Sequence, residues 1–247
     1  MVFWFITGEF SRCWRCLRYA FAASAGPLVT IVVIAAAIAQ PEVLAAVSQY
    51  RVVVSSVKGG AIADAVVTLR ALESAGKAAP VTRPRLQAPA TPVVIQQLDR
   101  EFVPRITVVP LGARISLPNN DAVPHSVYSF SAAKPFEFDV YVGSSPQVLT
   151  LDKAGIITLG CNIHDWMVGY VVVVDTPFAQ STDPGGAVSF ANVPEGDYEL
   201  RIWHPQQKSG DHTSRISIAE TGRTQAVTID VNPPRARYKP PLTLKRY

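Results

Sequence analysis

From Arg51 onward the chain keeps returning to one pattern: a short run of β-branched and aromatic residues, a turn signal, then another run. ITVVP (106–110), RISL (114–117), HSVYSF (125–130), FDVYV (138–142), QVLTL (147–151), IITLG (156–160) and GYVVVVD (169–175) succeed one another. Leu111-Gly112, Asn119-Asn120-Asp121, Gly143-Ser144-Ser145 and Lys153-Ala154-Gly155 punctuate them. Many short strands at this spacing imply a β-sandwich or barrel. With 20 prolines, 15 glycines and only 17% charged residues, the composition also favours punctuated strands over a helical bundle.

Two blocks are expected. RVVVSSV (51–57) and DAVVTLR (64–70) read as a strand pair around Lys58-Gly59-Gly60, assigned to a first sandwich over 46–176. Residues 71–98 show no sustained period and read as a long connection with a short helix near ALESAG. The second block, 177–232, holds STDPGG as a turn and AVSFANV, YELRIWHP, TSRISIAE and QAVTIDV as strands. Its "TD..G...F..VP.G.Y.L" run resembles carboxypeptidase-regulatory or transthyretin-like β modules.

Residues 1–45 read as a secretory signal. Arg12, Arg15 and Arg18 precede an uncharged stretch from Tyr19 to Pro41, and AIA (37–39) and VLA (43–45) offer small-residue cleavage sites. Left uncleaved, residues 19–41 are long enough to associate with a membrane as an anchor. Either way the remainder is expected in the periplasm. Cys13 and Cys16 belong to the leader, so the mature chain has one cysteine, Cys161, and no internal disulfide. A lone thiol in an oxidising compartment is a liability unless something, such as a metal, occupies it.

The formal net charge of +4 is too mild to imply nucleic-acid binding. Between Ala46 and Asn232 there are 15 basic and 17 acidic residues; the Pro-rich tail 233–247 carries five basic residues and no acid. Such a tail is either a solvated arm or a docking arm for an acidic partner or membrane surface.

The stretch GCNIHDWMVG (160–169) carries the chemistry. Cys161, His164 and Met167 lie together just before a buried β-branched run, and Met167 is the only methionine besides Met1. Taken singly, each reads as core or surface filler. A Cys–His hydrolase would draw its base from elsewhere in the fold. Structural zinc normally takes four strong donors. A thiolate, two imidazoles and a thioether suit copper better, as a trigonal set with a weak axial bond. The second imidazole is expected from His125, which begins a strand of the first block, rather than from His204 or His212 in the second.

These residues carry a resemblance to the cupredoxins, the blue copper proteins that include plastocyanin and azurin. Cys161-x-x-His164-x-x-Met167 is similar to the short ligand loop of amicyanin. Asn119 to Val127 resembles that family's asparagine–acid–proline–histidine–Asn/Ser–valine run. The layout is similar to secreted proteins often labelled methylamine utilisation proteins. The resemblance implies a Greek-key β-sandwich holding one type-1 copper through His125, Cys161, His164 and Met167. It also implies a non-enzymatic carrier of single electrons between redox partner proteins.

The chain departs from the amicyanin loop, with Ile163 and Asp165 in place of prolines. The N–H of Ile163 is a candidate donor to the Cys161 thiolate, and Ser126 follows His125 where asparagine is commoner. Asn119, Ser126, Ile163 and Trp166 are therefore expected around the ligands. Trp166 packs over the metal, joins a docking patch or covers the sandwich end. The rival function is copper delivery or surface recognition without a redox partner. Ready release of Cu(I) to a chelator would favour delivery, and fast self-exchange would favour the carrier.

Overall fold

The structure, a computed structural model, describes residues 49–72, 86–218 and 224–232. The leader, the tail and residues 73–76 of ALESAG lie outside these residues. In chain order the strands are β1 (Gln49–Ser56), β2 (Val66–Ala71), β3 (Val93–Val94), β4 (Gln96–Leu98), β5 (Glu101–Val103), β6 (Ile106–Pro110), β7 (Arg114–Ser116) and β8 (Val127–Ser129). They continue as β9 (Phe136–Glu137), β10 (Leu149–Thr150), β11 (Gly155–Cys161), β12 (Val168–Val174), β13 (Phe178–Ser181), β14 (Ala187–Ala191), β15 (Gly196–Trp203), β16 (His212–Ile218) and β17 (Thr224–Ile229). The all-β class expected from the alternation holds for the described residues.

Two sandwiches form. In the first, a five-stranded sheet ordered β6-β12-β11-β8-β9 faces a three-stranded sheet ordered β10-β7-β3, with the β4–β5 hairpin beside them. Ile115, Leu117, Val127, Leu151, Ile157, Leu159, Val171 and Val173 fill its core together with Cys161 and Met167. In the second, β13-β2-β15-β16 faces β14-β1-β17 around Val52, Val54, Val67, Leu69, Phe190, Leu200 and Ile202.

This corrects two expectations. The strands at 51–70 do not pair with each other, and they do not belong to the first sandwich. β1 pairs with β14 and β17, and β2 pairs with β13 and β15, so both build the second sandwich. The turn at Gly59-Gly60 is present with positive φ at both, but it carries the chain from one sheet across to the other. Alternation tells which side chains point inward; it does not tell which sheet receives the strand. The boundary at 176–177 falls between β12 of the first sandwich and β13 of the second, but β1 and β2 lie on the wrong side of it. β2 and β13 form an antiparallel pair, Leu69 opposite Phe178, and the whole first sandwich is inserted between them.

The valine run of β12 shows why this arrangement needs its composition. Val171 and Val173 point into the core of the first sandwich. Val172 and Val174 point the other way, into a seam with Val66 and Ile106, flanked by Tyr170 and Trp203. A strand covered on both faces has no polar positions to alternate with. The seam is closed by the Arg70–Asp175 ion pair and by Thr176 Oγ1 donating to Leu69 O.

FDVYV does not form a strand. Only isolated bridges occur there, His125 with Tyr141 and Asn119 with Gly143. β3 and β4 lie within 71–98, which reads in sequence as a connection without sustained period, and β5 follows just beyond it.

Candidate metal centre

The loop 162–167 leaves the end of β11 and returns as β12. Two glycines bracket it. A Cβ on Gly160 would lie 2.6 Å from the Tyr128 ring, and one on Gly169 would lie 2.8 Å from Phe102. Real Cβ atoms do not come that close; at Gly169 the obstacle includes the Cβ of buried Phe102, so that position needs glycine, whereas at Gly160 it is the tip of the half-buried Tyr128 ring, which can swing aside. Within the loop, Met167 N donates to His164 O at 2.9 Å and Asn162 N to Ser126 O at 3.0 Å.

β8 lies beside β11 with Val127 opposite Cys161. His125, two residues before Val127, points to the same side of the chain as Val127. Its backbone is fixed by reciprocal bonds with Tyr141, His125 N to Tyr141 O at 3.1 Å and Tyr141 N to His125 O at 2.9 Å. The Tyr141 hydroxyl bonds with Leu117 O and the Gln97 side chain, and burial pushes it up to about 12 despite the Gln97 bond, with the nearby Cys161 adding to the rise.

The outcome is a tight cluster. His125 Nδ1 and His164 Nδ1 are 3.0 Å apart; Cys161 Sγ is 3.7 Å from the first and 3.9 Å from the second. His125 and Cys161 are buried, while His164 is half-buried and forms the edge of the cluster nearest solvent. Among the described residues this is the one group of three or more His, Cys, Asp or Glu side chains that converges on a possible metal position. Met167 is buried in the same core as Cys161. The Trp166 ring packs edge-on against His164, centroids 5.2 Å apart.

The side chains around the cluster orient it. Ser126 Oγ donates to Phe138 O at 3.0 Å and accepts from Asn162 Nδ2 at 3.1 Å. Asn119 Nδ2 donates to Val123 O and Tyr141 O, and its Oδ1 accepts Asp121 N, which fixes the turn before His125. Ile163 is exposed on the loop, and its backbone N–H helps to lower the Cys161 thiol.

Asp121 was not singled out from sequence, yet its Oδ2 lies 2.8 Å from His125 Nε2. The signal was present as an acid four residues before the histidine. In the neutral ring, Nε2–H then donates to the carboxylate, which leaves the Nδ1 lone pair facing Cys161 and His164. A carboxylate–histidine pair of this kind fixes the tautomer of a metal ligand.

The protonation balance is consistent with this. Burial pushes the Cys161 thiol up, but His125 and the backbone N–H groups of Ser126, Ile163 and His164 bring it below its ordinary value. Burial, together with the charges of His125 and Arg100, holds His164 below the ordinary imidazole value, so it is neutral and ready to donate a lone pair. Burial also works against a charged His125, but Cys161 and Asp121 outweigh it and raise this ring. Burial pushes the Asp121 carboxyl up, and the bonds from His125, Arg100 N and Asp99 N more than offset it. A metal entering here would displace a proton from His125 Nδ1.

No family model matches the chain, and no curated protein matches it. Among solved structures it is similar to the Cu-containing nitrite reductase of Thermus scotoductus SA-01 at 20% identity and a TM-score of 0.33, over 43% of this chain and 25% of that one. It thus spans about a quarter of the reductase. It is also similar to a reduced amicyanin variant (19% identity, TM-score 0.32, over 44% and 98% of the two chains). A purple cupredoxin from Nitrosopumilus maritimus matches at 22% identity and a TM-score of 0.29, over 33% and 96%. At scores this low the functional reading rests on the site itself.

Proposed function

We propose that His125, Cys161 and His164 hold one type-1 copper ion, with Met167 as its weak axial neighbour, and that the chain carries single electrons between redox partners in the periplasm. The observation that carries this reading is the spacing of the three donors. Atoms each about 2.0–2.3 Å from a common first-row ion lie roughly 3–4 Å from one another, and the three contacts here are 3.0, 3.7 and 3.9 Å. Zinc in a structural site takes four strong donors, whereas three His, Cys, Asp or Glu donors converge among the described residues. A thiolate with two imidazoles is a copper set, and a buried thioether nearby suits it.

Copper held there would take up and return one electron, since thiolate and imidazole serve both of its oxidation states. The chain's own contribution is rigidity and exclusion of water. Cys161 sits in the core between β8 and β12. His125 is fixed by Tyr141 through its backbone and by Asp121 through its ring. His164 alone among the three ligands reaches the surface, and there it offers an edge to a partner protein. The second sandwich, by the resemblance noted above a carboxypeptidase-regulatory-like module, holds none of the three converging donors.

The test is the visible and electron-spin-resonance spectrum of the copper-loaded chain. An intense thiolate-to-copper absorption is expected. A complex that electron-spin resonance shows to hold Cu(II) but that lacks this absorption would reject the reading.

A further inference from the structure

The β4–β5 hairpin turns on Asp99 and Arg100, whose φ angles are 52° and 57°. A two-residue turn with both central φ positive normally asks for Asn-Gly or Asp-Gly. Arginine carries a Cβ and is disfavoured there. The turn is held from outside. Asp121 Oδ1 accepts Asp99 N at 2.6 Å and Asp121 Oδ2 accepts Arg100 N at 2.9 Å. The same Oδ2 faces His125 Nε2 at 2.8 Å.

The surroundings stitch the hairpin to the segment before His125. Gln97 N donates to Pro118 O, Asn120 N donates to Gln97 O, and Asn119 Oδ1 accepts Asp121 N, each at 2.9 Å. A free carboxylate rotates and presents either oxygen in several directions. With a backbone N–H on each oxygen its plane is fixed, and one direction remains for the histidine.

We propose that the Asp99–Arg100 turn is a positioning element of the metal site. By placing two backbone N–H groups on Asp121, it fixes the oxygen that takes Nε2–H of His125, and so decides which ring nitrogen faces Cys161 and His164. This rests on the reading of His125 as a ligand. It extends that reading to a turn that contributes no ligand.

The first test uses the unaltered chain without metal. The Asp99 and Arg100 amides lie at a hairpin tip, and they are expected to exchange with solvent roughly a hundredfold more slowly than unstructured amides. Exchange at unstructured rates overturns the proposal. The second test inserts one glycine between Asp99 and Arg100, which shifts both N–H groups and alters no side chain at the site. The Nε2–H resonance of His125 in the metal-free chain is expected to exchange about tenfold faster, and the copper-loaded chain to lose its metal to a chelator about tenfold faster.

An insertion variant with the parent's imidazole signal and release rate overturns the proposal. Should the insertion unfold the chain, Asp121→Asn replaces it. Joint loss of amide protection and of the His125 Nε2–H signal then supports the proposal, and loss of one alone overturns it. A parent chain with no intense copper absorption would sink the metal reading instead, while the amide and imidazole signals would still report on the turn.

Discussion

Phe178 lies opposite Leu69 in an antiparallel ladder, and the entire sandwich that carries Cys161 is folded between them. The two residues share the second sandwich's core with Val67 and Leu200. Cutting the chain at residue 176 therefore strands β1 and β2 without partners. A fragment of 86–176 is expected to fold and bind copper. A fragment of 46–176 is expected to aggregate, because it exposes Val52, Val54, Val67 and Leu69. The sedimentation behaviour and copper spectra of the two fragments decide this. A soluble 46–176 beside an insoluble 86–176 would mean that the seam is essential to the first sandwich.

Ligand assignment is open to direct substitution. Cys161→Ser is expected to abolish the thiolate absorption, and His125→Ala to distort it greatly. His204→Ala and His212→Ala are expected to leave it unchanged, since both histidines lie outside the converging group. A bleached His204→Ala protein with an unaltered His125→Ala spectrum would reverse the assignment.

Met167→Gln is expected to lower the reduction potential while the colour survives. A thioether is soft and favours Cu(I), whereas an amide oxygen is a harder donor that favours Cu(II). Each ~59 mV corresponds to a tenfold shift in a one-electron equilibrium, so voltammetry at a single pH is sensitive enough. An unchanged potential would reduce Met167 to packing.

The second sandwich carries a pH dependence of its own. Burial, with Arg105 adding to it and Asp64 opposing it, holds His204 below its ordinary value of 6.5. The unfolded chain then takes up a proton that the folded chain refuses. This contribution to stability is fully present above about pH 6.5, begins to fall there and is lost as the pH drops through the lower value of the folded chain. Protonation also removes the ring lone pair at Nδ1 that accepts Gln206 N at 3.3 Å. His204→Gln is expected to shrink the drop in urea midpoint between about pH 7.5 and about pH 5. An equal drop in both proteins would remove His204 from the account.

Gly169→Ala is expected to destabilise the chain by about 1–3 kcal/mol, because its Cβ would meet the Cβ and ring of Phe102 at 2.8–3.1 Å. Phe102 belongs to β5, so the copper spectrum is also expected to change. Chemical denaturation and the visible spectrum of the variant give both answers. Unaltered stability would show that Phe102 yields freely.

Much of this was legible in the residues, and the losses have physical causes. Cys161, His164 and Met167 are sequence neighbours, so the loop itself brings them close. His125 could be placed because it heads a β-branched run, and β8 does lie beside β11. Asp121 was visible as an acid near a histidine, but its target depends on how the turn at Asn119 closes. Val52 and Val54 alternate in the same way whichever sheet receives them, so the sequence left their partners open. β12 read as a buried strand. That its two faces serve two different cores follows only once Val172 meets Val66 in the seam.

β12 begins at Val168 beside the ligand loop and ends at Val174, where the chain crosses into β13. The second sandwich thus takes over the chain from the end of β12 remote from Cys161. It also holds both β1 and β17, the first and last strands of the described residues. In engineering terms the second sandwich is a handle. A tether, surface linkage or fusion partner attached at Gln49, at the end of the parallel β1–β17 pair away from Ile229, would grip the handle, whereas Asn232 is bonded to Gln206 beside Trp203, whose ring meets Tyr170 near the ligand loop.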